Sequence, residues 1–92
     1  MRLIDIDRLK IIDNHIHYIK EYEGSVVLMD KMAKIIRNDI KFSLEYKPMG
    51  DPEVKVSFVE PPDFNADHLI PKIKEKIFKL DREGTLSNLH KK

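Results

Sequence analysis

Three side chains in one short string have the types and spacing to hold a metal ion: Asp13, His15 and His17, in Ile11-Ile12-Asp13-Asn14-His15-Ile16-His17. Imidazole nitrogens and a carboxylate suit a divalent transition metal, provided that they converge. Convergence depends on the backbone. Alternate residues of a strand share a face, so an extended chain would aim all three at one point. On a helix His15 and His17 stand about 200° apart and cannot share an ion. The surrounding residues repeat at three and four: Leu9, Ile12, Ile16 and Ile19 form one row, and Ile11, His15, Tyr18 and Tyr22 a second. With Asp7 as N-cap and Gly24 as stop, that period predicts a helix over about 7–22. His15 then packs among Ile11, Tyr18 and Tyr22 while His17 faces water. On this reading no metal site is expected, and Asp13, His15 and His17 remain the candidates for one.

The same string resembles the Asp-x-His-x-His signature of the amidohydrolase-like metal hydrolases, in which two histidines at the end of a barrel strand hold a divalent metal. The resemblance covers seven residues, and the barrel it implies takes about 250 residues against the 92 present. Elsewhere there is no P-loop, no Gly-x-Gly-x-x-Gly and no Ser-His-Asp constellation. Asp13 with His17 has the i, i+4 spacing of a helical surface ion pair and carries no catalytic specificity. No catalytic or cofactor-binding residue is nominated, no cofactor is implied, and the expectation is a protein that is not an enzyme.

Composition narrows the class further. Ninety-two residues fit one small domain with little core to spare for a deep active site. Apolar residues at 41% and charged residues at 36% describe a chain that folds and stays in solution. The absence of cysteine removes disulfides, thiolate nucleophiles and Cys-type zinc sites, and suits a cytoplasmic setting. Charges at Arg2, Asp5, Asp7 and Arg8 break any secretory leader, and no apolar run approaches the roughly 20 residues of a membrane span. The net charge of +1 is spread evenly enough that no segment forms a strongly basic nucleic-acid patch.

The elements that would position any site are read from the hydrophobic period. Between residues 40 and 60 the period is two: Ile40, Phe42, Leu44 and Tyr46 alternate with polar residues, and Val54, Val56 and Phe58 do so again. This predicts a β-hairpin with strands at about 40–47 and 54–60, joined by a loop containing Pro48, Gly50 and Pro52. Its expected register sets 46 against 54, 44 against 56 and 42 against 58, with Lys55 and Ser57 outward. Phe42, Tyr46 and Phe58 share the apolar face and are read as core rather than as a base-stacking platform.

Residues 26–37 are read as a second helix capped by Ser25, in preference to a buried strand 26–29 followed by a shorter helix capped by Asp30. Asn38 serves as its stop. A short N-terminal strand is an optional addition. The last helix is expected over about 70–83, with Ile70, Ile73, Ile77 and Leu80 in one stripe, Pro71 in its first turn and Gly84 as its left-handed cap. Phe78 lies off that stripe, as a flank of the core or part of a partner surface. Lys72, Lys74, Lys76, Lys79 and Arg82 are interleaved with Glu75, Asp81 and Glu83 and are read as a solvated face. The domain spans 1–84, and 85–92 is a polar tail, frayed unless Leu86 and Leu89 dock.

The resulting fold is α+β, with helices on one face of a small antiparallel sheet. Its order of elements is similar to that of the type I KH domain, which implies single-stranded nucleic-acid binding. The loop corresponding to that family's Gly-x-x-Gly, Glu21-Tyr22-Glu23-Gly24-Ser25, has one glycine and two acids. The favoured function is a small interaction or regulatory module acting through protein contacts. A two-stranded hairpin leaves an open edge, so the second strand is expected to pair with its symmetry mate in a homodimer. Lys55, Ser57 and Phe78 are the partner-surface candidates; no membrane partner is expected.

Overall fold

The computed structural model of the chain describes residues 1–12 and 18–89. Four strands, β1 (Arg2–Ile12), β2 (Ile19–Met29), β3 (Ile35–Glu45) and β4 (Glu53–Phe58), form one antiparallel sheet in the order β1-β2-β3-β4. One helix, α1 (Ile70–Arg82), follows a 3-10 turn at Asp67–Leu69 and packs on one face of that sheet. The α+β class therefore stands, with one helix among the described residues where three were expected.

The helix expected over 7–22 is replaced by the end of β1 and the start of β2. Two β-bulges explain why β1 reads as helical. Leu3 faces Leu28, Ile6 faces Val26 and Ile11 faces Tyr22, yet the register shifts once between Leu3 and Asp5 and again between Asp7 and Lys10. Each shift inserts one unpaired residue, which resets the alternation of faces. The inward side chains Leu3, Ile6, Leu9 and Ile11 are consequently spaced at three, three and two, close to a helical stripe. Arg8 sits in the second bulge with φ 53°, the left-handed conformation such bulges use. Opposite it, Gly24 is no helix stop but a place for two side chains. A Cβ there would lie 3.1 Å from Leu9 Cδ2 and 3.4 Å from Ile6 Cγ2.

The helix expected over 26–37 is likewise strand, turn and strand. Asp30 does cap, but it caps a turn: its Oδ1 accepts from the backbone N–H groups of Met32 at 2.8 Å and Lys34 at 2.9 Å. With Ala33 at φ 63°, those bonds reverse the chain within five residues and send β2 into β3. Asn38 is not a stop but a β3 residue opposite Val26, and Ser25, expected as a cap, lies buried in β2. The short N-terminal strand is the beginning of an eleven-residue one.

The 40–60 hairpin forms, with β3 starting five residues earlier than expected. Its register is offset by two: Leu44 faces Val54, Phe42 faces Val56 and Ile40 faces Phe58. A slip of two preserves which face each side chain occupies, so face alternation could not choose between the two registers. Lys55 accordingly stands opposite Ser43, and Ser57 opposite Lys41.

Inward residues of the sheet meet the expected α1 stripe. Tyr22, Val26, Leu28, Ile40, Phe42 and Leu44 are buried against Leu69, Ile73, Ile77 and Leu80. Tyr22 stacks on Phe42 with ring centroids 5.2 Å apart, a contact worth about 0.5–1.5 kcal/mol beyond its buried area. Pro71 occupies the first turn of α1, Asn65 Oδ1 accepts from the Asp67 N–H ahead of it, and Gly84 takes φ 81° just past the end. Beyond Gly84 the docking that an ordered tail requires is present: Leu86 is buried in the core and Leu89 packs against it.

Candidate protein-interaction surface

Because α1 is the only element laid on the sheet among the described residues, one sheet face has no second layer. Odd-numbered residues of β2, β3 and β4 line it, together with Asp5, Asp7, Lys10 and Ile12 of β1. At the end nearer the β2–β3 turn, Arg37 Nη1 donates to both carboxylate oxygens of Asp7, at 2.7 and 2.6 Å. The pair spans β2 diagonally, above Ser25 and Val27. Ser25 Oγ in turn donates to Asp39 Oδ1 at 2.8 Å. This cover explains how Ser25 and Val27 come to be buried on an otherwise open face. Around it apolar side chains remain in water: Ile4, Ile35 and Val59 are 43%, 50% and 52% exposed.

Toward the other end the face is concave and polar. A groove of about 370 Å³ is lined by Ile12, Glu21, Lys41, Ser43, Lys55 and Ser57. Lys55 and Ser57, the strand candidates, thus lie together, joined across β3 by Lys41 and Ser43. Two ammonium groups, two hydroxyls and a carboxylate in so shallow a site can hydrogen-bond and ion-pair with a partner. Phe78 is not part of it. It is half-buried on α1, with the Arg82 guanidinium 5.7 Å from its ring centroid.

The tyrosines serve the fold rather than this surface. Tyr46 OH donates to Asp81 Oδ1 at 2.8 Å, tying the end of α1 to the end of β3. Burial, then the bond to Asp81 and its negative charge, raise the Tyr46 pKa well above its ordinary value; burial and Asp81 also raise that of Tyr22.

Asp13, His15 and His17 lie outside the described residues. Among the described residues no group of three or more His, Cys, Asp or Glu is placed to hold a metal. The helix that separated His15 from His17 is not formed on either side of the string, since Ile12 and Ile19 are both strand residues. The KH-like order of elements is also not adopted: that topology needs two helices where β1, β2 and β3 run.

A family model matches residues 1–82, and its description is the BB-0187 family. The chain belongs to that family. The matched span ends at the last residue of α1, so the family's unit comprises the whole sheet and its helix, while Leu86 lies beyond it. No curated protein and no solved structure matches the chain. Among the described residues no helix is long and apolar enough to cross a membrane.

One feature escaped the sequence reading. A second groove, of about 430 Å³, runs between the start of β1 and α1. The signal for it was the spacing of Lys72, Lys76 and Lys79, which is one helical stripe at i, i+4 and i+7. It was hidden because Lys74 and Arg82, on other sides of the helix, made the charge look evenly spread.

Proposed function

We infer that the chain is a cytoplasmic interaction module that works through protein contacts and self-associates by pairing β4 with β4 of a second copy. Strand count no longer motivates this, because β1 and β2 complete a four-stranded sheet within one chain. The observation that carries it is the state of β4. Inward residues on β2 and β3 from Tyr22 to Leu28 and from Ile40 to Leu44 are buried, yet Val54, Val56 and Phe58 are each only half-buried at the sheet's open edge. Continuing the sheet past β4 would cover them and pair the free backbone groups of that edge.

An antiparallel pairing with Val56 on the two-fold axis sets Val54 against Phe58 and Lys55 against Ser57 of the second copy, with no like charges opposed. Sedimentation velocity tests it. A dimer is expected at micromolar concentration, weakened by S57K, which opposes lysines twice across the axis, and strengthened by S57E, which pairs opposite charges there. A monomer that persists at high micromolar concentration, or equal dimerisation by both variants, sinks the reading.

A further inference from the structure

We propose that the groove between β1 and α1 is a docking site for a short acidic segment of another protein, bound in extended form along the free edge of β1. The site extends the reading of the chain as a protein-interaction module, but it does not depend on self-association, which uses the opposite edge of the sheet. Its floor is apolar: Leu3 is half-buried and Leu69 fully buried. Its helix wall carries Lys72, Lys76 and Lys79 in one row, with Arg2 on the strand side and Glu75 as the acid among them. Like charges at i, i+4 cost helix stability, so such a row is unfavourable without a counter-charge. Four cationic side chains around one cleft are a local excess in a chain whose net charge is only +1.

The chain itself shows what the row accepts. Lys76 Nζ reaches across the edge of β1 to Asp5 Oδ1 at 3.6 Å, a loose contact between partly exposed groups. Lys72 and Lys79 have no ion pair with a described residue. A carboxylate-bearing strand beside β1 would place alternate side chains under this row while its backbone pairs with the edge, the usual logic of strand addition. The bulge at Ile4 interrupts that edge, so the segment is short, roughly four to six residues. Peptide is favoured over nucleic acid because no phenylalanine, tyrosine or tryptophan lines the groove to form a stacking platform for bases.

The probe is a fluorescein-labelled short peptide alternating glutamate and valine, titrated with the whole chain and followed by anisotropy. Saturable binding at low salt is expected, weakened about tenfold, or 1.4 kcal/mol, by K72E combined with K79E. Both lysines are exposed, and circular dichroism confirms that the variant folds. A peptide with its central valine replaced by proline should bind the unmodified chain about tenfold more weakly, because it lacks a backbone donor. That arm needs no variant. Absence of saturable binding, indifference to the lysine changes, or equal affinity for the proline peptide would each overturn the proposal. So would tighter binding of a single-stranded oligothymidylate with the same lysine dependence. Sedimentation of the same samples separates this result from the β4 pairing.

Discussion

Replacing Arg8 by glycine separates the observed fold from the one its hydrophobic period suggests, because the two give opposite signs. Arg8 holds φ 53° in the second bulge of β1, is exposed, and has no ion pair with a described residue. A side-chain-bearing residue in that conformation costs about 1–2 kcal/mol, which glycine avoids. Glycine's greater freedom in the unfolded chain returns about 0.4–1 kcal/mol of that. The net expectation for Arg8→Gly is a gain of roughly 0.5–1 kcal/mol. Were residues 7–22 helical, glycine in mid-helix would cost about 1 kcal/mol instead. The assay is urea unfolding followed by far-ultraviolet circular dichroism, since the chain lacks tryptophan. A higher midpoint with an unchanged slope is expected. Arg8→Ala serves as control: it removes the side chain, keeps the strained conformation and should change little. Loss of about 1 kcal/mol in Arg8→Gly would refute the bulge as the reason for the misleading period.

Three further outcomes follow from the core. Leu86→Ala should lose about 2–5 kcal/mol as a fully buried leucine leaves a cavity; a loss near zero would show the residues past α1 to be a free tail. Asn38 Oδ1 is buried without a hydrogen-bond partner, so Asn38→Val should stabilise by about 1 kcal/mol and raise the melting temperature by some 4–8 °C. A fall in melting temperature would reveal a partner for that amide. Because the folded state raises the pKa of Tyr46 and Tyr22 above their unfolded value of 10.0, unfolded chains lose these protons first as pH rises, and stability must fall above about pH 10. Tyr46→Phe should cost roughly 1 kcal/mol at neutral pH and flatten that alkaline decline. Superimposable alkaline limbs for the two proteins would remove the Tyr46–Asp81 contact as the cause.

Some elements were legible because one local signal sufficed. The α1 stripe, its proline start and its glycine cap all repeat at the helical period within thirteen residues. The 40–60 hairpin alternates without interruption, so its faces could be assigned, and Phe42 and Leu44 lie in the core as expected. The first half of the chain misled for a physical reason. β1 spends two residues in bulges, β2 gives one inward position to Gly24 and buries Val27 on the opposite face, and β3 puts Asn38 inward. Each departure blurs period two, and together they imitate period three to four. The surface candidates fared according to range. Lys55 and Ser57 share a face by simple alternation, whereas Phe78 belongs to a different side of the molecule.

By itself, then, the sequence determined what neighbouring residues can decide: an α+β chain, an amphipathic C-terminal helix, a central hairpin and its buried face. Tertiary structure alone decided that β2 pairs on both sides, that a bulge at Arg8 closes over Gly24, and that Leu86 returns to the core. It also brought the lysine row of α1 beside the edge of β1, some seventy residues away in the chain. Periodicity reports which face a side chain occupies, but pairing between distant strands is fixed by the surface each arrangement buries. That quantity exists only once the whole sheet is assembled.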